Sequence, residues 1–215
     1  MSLLPMPRAL PENAGVTTPA TAARFGEVVE ASIERLVGQC HRLYDAPALG
    51  TLVRAGGSVY AAVEGVGTVA LDPTRPIVAR GADAGSEAEV YAEHPQLERL
   101  LRTQVSLAVL GHREAGEVRQ YLPPLPPRIH TFLHACPPEE VRGFFANGRL
   151  DFASLLLRGG APAGDDVLAA VLRQASTAFE DQRGFLLGAC RGVATLLASD
   201  TARLNAILRR LPLSG

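Results

Sequence analysis

Two histidines and a cysteine alternate in the stretch Ile129–Cys136 (IHTFLHAC), and these are the residues of the chain best suited to chemistry. Read as a strand, the stretch puts His130, Phe132, His134 and Cys136 on one face. Ile129, Thr131, Leu133 and Ala135 take the other. Imidazole and thiolate together suit a transition metal such as zinc. Successive same-face residues of a strand lie about 7 Å apart, so His130 and His134 cannot share one ion unless the strand bends. No acidic or cysteine pair at a recognisable spacing completes a ligand set. A partly solvated or interface-facing strand is the plainer reading.

The carboxylates offer less. Glu27, Glu30 and Glu34 fall on expected strands, but acids on the solvated side of an antiparallel strand are routine. Nothing in the sequence couples them to a histidine or a nucleophile, as acid–base chemistry requires. Asp45, Asp72 and Asp151 read as turn or cap residues. No G-x-S-x-G elbow places a serine. Gly65-Val66-Gly67 lacks the third glycine and the helix of a dinucleotide loop, and bulged strands explain it better. All 21 basic residues are arginine. A chain without lysine has no G-x-x-x-x-G-K-[ST] phosphate loop and forms no Schiff base.

The elements that must carry these residues change character midway. Phe25–Ser32, Ile33–His41, Thr51–Ala55 and Ser58–Leu71 have strand-length apolar patterns, with turns at Ala46–Gly50 and Gly56-Gly57. Asp72–Pro76 turns, and Ile77–Arg80 fits one more strand. Ser86–Arg102 predicts a helix capped by Ser86 and broken by Pro95 into two pieces hinged near His94. Gln104–Arg113 and Val118–Tyr121 predict a hairpin around Glu114–Glu117. The run Pro123-Pro124-Leu125-Pro126-Pro127 reads as a stiff connector into the Ile129–Cys136 strand. From Pro137 the period is helical: after a start at Pro137–Glu140, helices fit Asp151–Leu157, Asp165–Ser176, Asp181–Ala198 and Asp200–Leu211. Asp165, Asp181 and Asp200 are the expected caps, and Gly159-Gly160 and Pro162 punctuate. Arg203, Arg209 and Arg210, with Arg173, Arg183 and Arg191, give these helices a basic face that is solvated or salt-bridged by default.

The chain of 215 residues is 47% hydrophobic and 20% charged, which is globular rather than disordered. A formal charge of -1 gives no general pull toward nucleic acid or membrane, so direct nucleic-acid contact is not expected. Pro5, Pro7 and Pro11 interrupt the start where a signal peptide needs an apolar run. Cys40, Cys136 and Cys190, odd in number and far apart, suit buried thiols in a reducing cytoplasm.

The segments FGEVVEASIERLVGQCHRLYDAPALGTLVRA, SVYAAVEGVGTVALDP and IVARG resemble the HAS-barrel, the small β-barrel named for HerA-type ATPases and ATP synthases. The steps APALGTLVRA and VYAAVEGV carry the likeness most closely. In HerA-type motors this barrel precedes a RecA-like ATPase core, and the resemblance implies ring assembly and docking of a NurA-like nuclease. In ATP synthases the related barrel forms the crown of the hexamer. The likeness covers about Phe25–Gly81 and stops where the ATPase core should follow, so no catalytic residue carries over.

The expectation is therefore an α+β fold: a small antiparallel β-barrel with an inserted helix and a helical C-terminal subdomain. Its divisions are a flexible arm at 1–24, a barrel domain at 25–136 with the helical insertion at 86–102, and helices at 137–215. The expected function is non-enzymatic docking of a HerA-like ATPase or associated nuclease in a DNA-processing system, without cofactor, metal or membrane. Association with a second copy is open. Tyr44, Leu49, Leu52 and Tyr60 are the candidate contact residues, with core burial the plainer fate of Leu52 and Tyr60. The alternatives are a metal-dependent hydrolase using His130 and His134, and a nucleic-acid-binding accessory protein using the arginine-bearing helices.

Overall fold

Alternation of side chains governs the first half of the molecule and helical periodicity the second. The computed structural model describes residues 24–158 and 162–212. The expected flexible arm lies outside them apart from Arg24, as does the Gly159-Gly160 break. In chain order come β1 (Arg24–Ala31), β2 (Arg35–Cys40), β3 (Leu52–Ala55) and β4 (Val59–Ala70). Next are α1 (Glu87–Glu93), α2 (Leu97–Leu100), β5 (Leu101–Glu114), β6 (Glu117–Arg119) and β7 (Phe132–Ala135). The helices α3 (Pro138–Phe144), α4 (Ala153–Leu157), α5 (Pro162–Ser176), α6 (Gln182–Leu196) and α7 (Thr201–Leu208) complete the described chain.

All the ladders are antiparallel, and the sheet order is β2-β1-β7-β3-β4-β5-β6. β5 also pairs β2, so the ladders from β2 through β5 return on themselves. Each strand in that cycle sends alternate residues inward. Val28, Leu36, Val53, Ala61, Leu107 and Leu133, one from each strand, belong to a single buried cluster. The intervening residues of β3, β4 and β5 face outward and are buried too. Leu52, Tyr60, Ala62, Ala108 and Leu110 form a second core with Phe144, Phe152, Leu168, Leu172 and Val193 of the helical half. Burial on both faces explains why β4 and β5 read as near-continuous apolar runs rather than clean alternations.

Helix α5 is the beam of the second layer, packing on α4, α6, α7, β3 and β4. The turn before β3 sets its approach. Gly50 has φ 82, and a Cβ there would lie 2.3 Å from the backbone carbon of Ala170 in α5. Only glycine combines that left-handed backbone with that closeness. Asp181 and Asp200 cap α6 and α7 as expected, accepting from the N–H groups of Gly184 and Arg203.

Four local expectations need correction. Ile77–Arg80 is not a strand; its residues are exposed and no neighbouring strand pairs with them. The helix expected over Ser86–Arg102 ends at Leu100, because residues 101–103 pair with Thr68–Ala70 as the start of β5. Asp165 is no cap but lies within α5, where its carboxylate meets Arg203. The strand expected over Ile129–Cys136 begins only at Phe132, since His130 takes a left-handed φ of 66. The break near His94 and the hairpin turn at Ala115-Gly116 are present, the latter with φ of 49 and 86 as a type I′ turn demands. Among the described residues no helix is long and apolar enough to cross a membrane.

Candidate functional site

The candidate contact residues divide between surface and core. Tyr44 is 59% exposed and Leu49 39%, both on the loop between β2 and β3. Tyr44 has φ 64, and its N–H donates to the Thr103 hydroxyl at 2.7 Å. Its own hydroxyl meets that of Tyr91 on α1, with the rings edge to face at 6.3 Å. Tyr44 thus ties the inserted helix to one end of the strand cycle. Leu52 and Tyr60 are 4% and 0% exposed and belong to the core beneath the helices.

Tyr60 is the centre of a half-buried polar cluster. Its hydroxyl donates to Glu140 Oε1 at 2.9 Å and accepts from the Arg113 guanidinium at 2.6 Å. Arg54 Nε lies 2.8 Å from the same carboxylate oxygen. β3, β4 and β5 each supply one of these side chains, and α3 supplies Glu140, so the cluster clamps the first helix of the second layer onto the strands. Burial raises the Tyr60 phenol to about 12, with the Arg113 hydrogen bond opposing. Burial and then the Glu140 carboxylate push the Cys136 thiol far above its ordinary value. The Cys40 thiol is pushed up to about 11, by burial first and Asp45 second. These are protonated, unreactive thiols at neutral pH.

The histidines are placed differently from the expected strand face. His130 Nδ1 lies 3.0 Å from Glu27 Oε2 on β1, and His41 Nδ1 lies 4.0 Å from the other oxygen. Sequence reasoning missed this grouping, because β1 meets the segment before β7 across a separation of 103 residues. His134 sits on β7 opposite Arg24 on one side and Arg54 on the other, apart from His130. Among the described residues no group of three or more His, Cys, Asp or Glu side chains is arranged to hold a metal ion. The arginines of the helices are largely engaged within the fold. Arg203 clamps Asp165 at 2.6 Å, Arg210 pairs Asp166 at 2.5 Å, and Arg173 donates to the Arg210 carbonyl at 2.8 Å. A groove of about 510 Å³ runs between the strands and α4–α5, lined by Glu34, Arg35, Glu64, Ser106, Leu156 and Val167.

Fold and geometry define an α+β protein with a mostly antiparallel sheet, one flank of which is covered by helices. No protein-family model matches the chain, and no curated protein matches it.

Proposed function

We propose that the chain is a non-enzymatic assembly protein that docks a HerA-like ATPase, or the NurA-like nuclease associated with one, in a DNA-processing system. The observation that supports this reading is the cycle of ladders from β2 around to β5, with one apolar cluster inside it. In this reading the six strands are a closed small barrel, and the segments that resemble the HAS-barrel form four of its staves, β1 to β4. Closure leaves loops and short extensions, rather than long sheet edges, to meet a partner. Tyr44 and Leu49 are the contact residues of choice, since both are exposed on one loop.

The test is affinity capture of the tagged full chain from its own cells with carboxylate-directed crosslinking, because the chain has no lysine side chain to crosslink. Recovery of a RecA-like ring ATPase or its nuclease, lost when Tyr44→Asp and Leu49→Asp are combined, is the expected result. A wild-type capture containing neither enzyme overturns the reading.

A further inference from the structure

β4 and β5 run on together past the end of β2: Thr68–Ala70 pair with residues 101–103, whereas β2 reaches only to Gln104. On this two-stranded arm Val69 stands opposite Arg102 and Gly67 opposite Gln104. Alternation therefore puts Arg102 and Gln104 on the same face. The loop after β4 turns back along the arm, and a cavity of about 480 Å³ lies between loop and strands. Asp72 sets the turn. Its carboxylate accepts from the Thr74 N–H at 2.9 Å and the Thr74 hydroxyl at 2.6 Å, and its carbonyl accepts from the Arg75 N–H at 3.1 Å. Pro73 and Pro76 fix φ on either side of Thr74-Arg75, so this wall of the cavity is set by its own sequence.

Pro73, Pro76 and Ile77 give the cavity apolar walls, and Arg75, Arg102 and Gln104 supply polar groups. Among the described residues no acidic side chain lines it. Arg75 lies 3.5 Å from the Asp72 carboxylate beside the cavity. Arg102 is placed differently. Among the described residues it has no ion pair and no side-chain hydrogen bond, and its Nε is buried without a partner. A guanidinium keeps its charge at any physiological pH, so the fold holds a cation here and gives it no acceptor. Buried donors are otherwise almost always satisfied. The groove between the strands and α4–α5 lacks this imbalance, because Arg35 there lies 3.5 Å from Glu64. With a formal charge of -1 on the whole chain, the excess of positive charge belongs to this cavity and not to the surface at large.

We propose that this cavity binds a small organic anion, a phosphate or carboxylate head carried on an apolar body. Arg102 and Arg75 take the head, since guanidinium forks match either oxyanion with paired, charge-assisted hydrogen bonds. The Gln104 amide is a further donor. Ile77 and the two prolines cover the body, and the volume is in the range of small-molecule sites. The proposal stands apart from the docking reading, since it concerns the purified chain and a small molecule alone.

Isothermal titration of the full chain with phenyl phosphate, with benzoate and with uncharged benzyl alcohol tests it. Saturable binding of at least one of the two anions, weakened by added salt, is expected, with none of the alcohol. Whichever anion binds more tightly assigns the head. Arg102→Gln should weaken that binding at least tenfold. Arg75→Gln, at a side chain 81% exposed, should weaken it at least threefold and gives the answer if the Arg102 change disturbs the arm. A wild-type chain that binds neither anion overturns the proposal. So does binding that neither arginine change weakens, or that benzyl alcohol matches.

Discussion

The strand cycle and the arm that grows out of it, where Thr68–Ala70 pair with residues 101–103 beyond the reach of β2, share two strands yet differ in what holds them. Inside the cycle every strand contributes to one buried cluster, and Val105, Leu107 and Leu133 have no exposed surface. A few residues away along the same strands, Val66 is 51% exposed and Val69 37%. Both parts are paired β4 to β5, and the two bulges, at Tyr60/Ala61 and Val63/Gly65, lie on the cycle side. What separates them is apolar burial, which supplies most of the folding free energy. Backbone pairing alone is therefore not a measure of local stability in this molecule. The arm should open well before the cycle does, and hydrogen exchange across β5 should rise between Val105 and Leu101.

The sharpest break comes from the middle of the cycle. Leu107→Ala should cost about 2–5 kcal/mol, the range for emptying a buried leucine site. Gly50→Ala follows at about 2–4 kcal/mol, because the added methyl meets the α5 backbone at a positive φ. The first weakens the interior of the cycle and the second its junction with the helices. Both should lower the midpoint of urea unfolding, and a two-state transition for each would mean that the two cores melt together.

That coupling was only partly legible beforehand. β1 to β4, the hairpin at Ala115-Gly116 and the helix starts at Asp181 and Asp200 depend on neighbours in the chain, and local pattern placed them within a few residues. The failures depend on distant partners. Ile77–Arg80 has strand composition, but no strand is positioned to pair with it. Leu101 continues a helical spacing, yet the register with Ala70 takes it into β5. His130 fits a strand face by parity, and the chain instead turns there so that Thr131 and His130 bond to Val28 across the β1 ladder. For the candidate site, the exposure of Tyr44 and Leu49 suited their turn sequence. The Tyr60 cluster joins β3, β4, β5 and α3, and no local spacing encodes that meeting.

Tyr60→Phe sharpens the comparison at the junction of the two layers. It removes the hydroxyl shared by Glu140 and Arg113, for an expected cost of about 1–2 kcal/mol. The same substitution should change the alkaline limb of stability. The Tyr60 phenol titrates near 12 in the folded chain against an ordinary 10, so the folded state holds this proton more tightly. Its contribution is complete below pH 10, declines as pH rises, and is gone above about 12. Cys40 adds a similar decline between 9 and about 11. Urea unfolding of wild type across this range should lose stability steadily, and the phenylalanine variant should lose less of it above pH 10.

The smallest effect belongs to the arm. Val69→Thr keeps a β-branched side chain and the backbone pairing with Arg102 while adding a hydroxyl. At a 37% exposed position water satisfies that hydroxyl, so the stability of the monomer should stay within about 0.5 kcal/mol. Val105→Thr makes the same chemical change on the partner strand at a position with no exposure, and the stranded hydroxyl should cost about 1–3 kcal/mol. Chemical unfolding of the pair at low protein concentration reads the difference directly. Equal costs would mean that the arm is packed as tightly as the cycle, and the division between them would disappear.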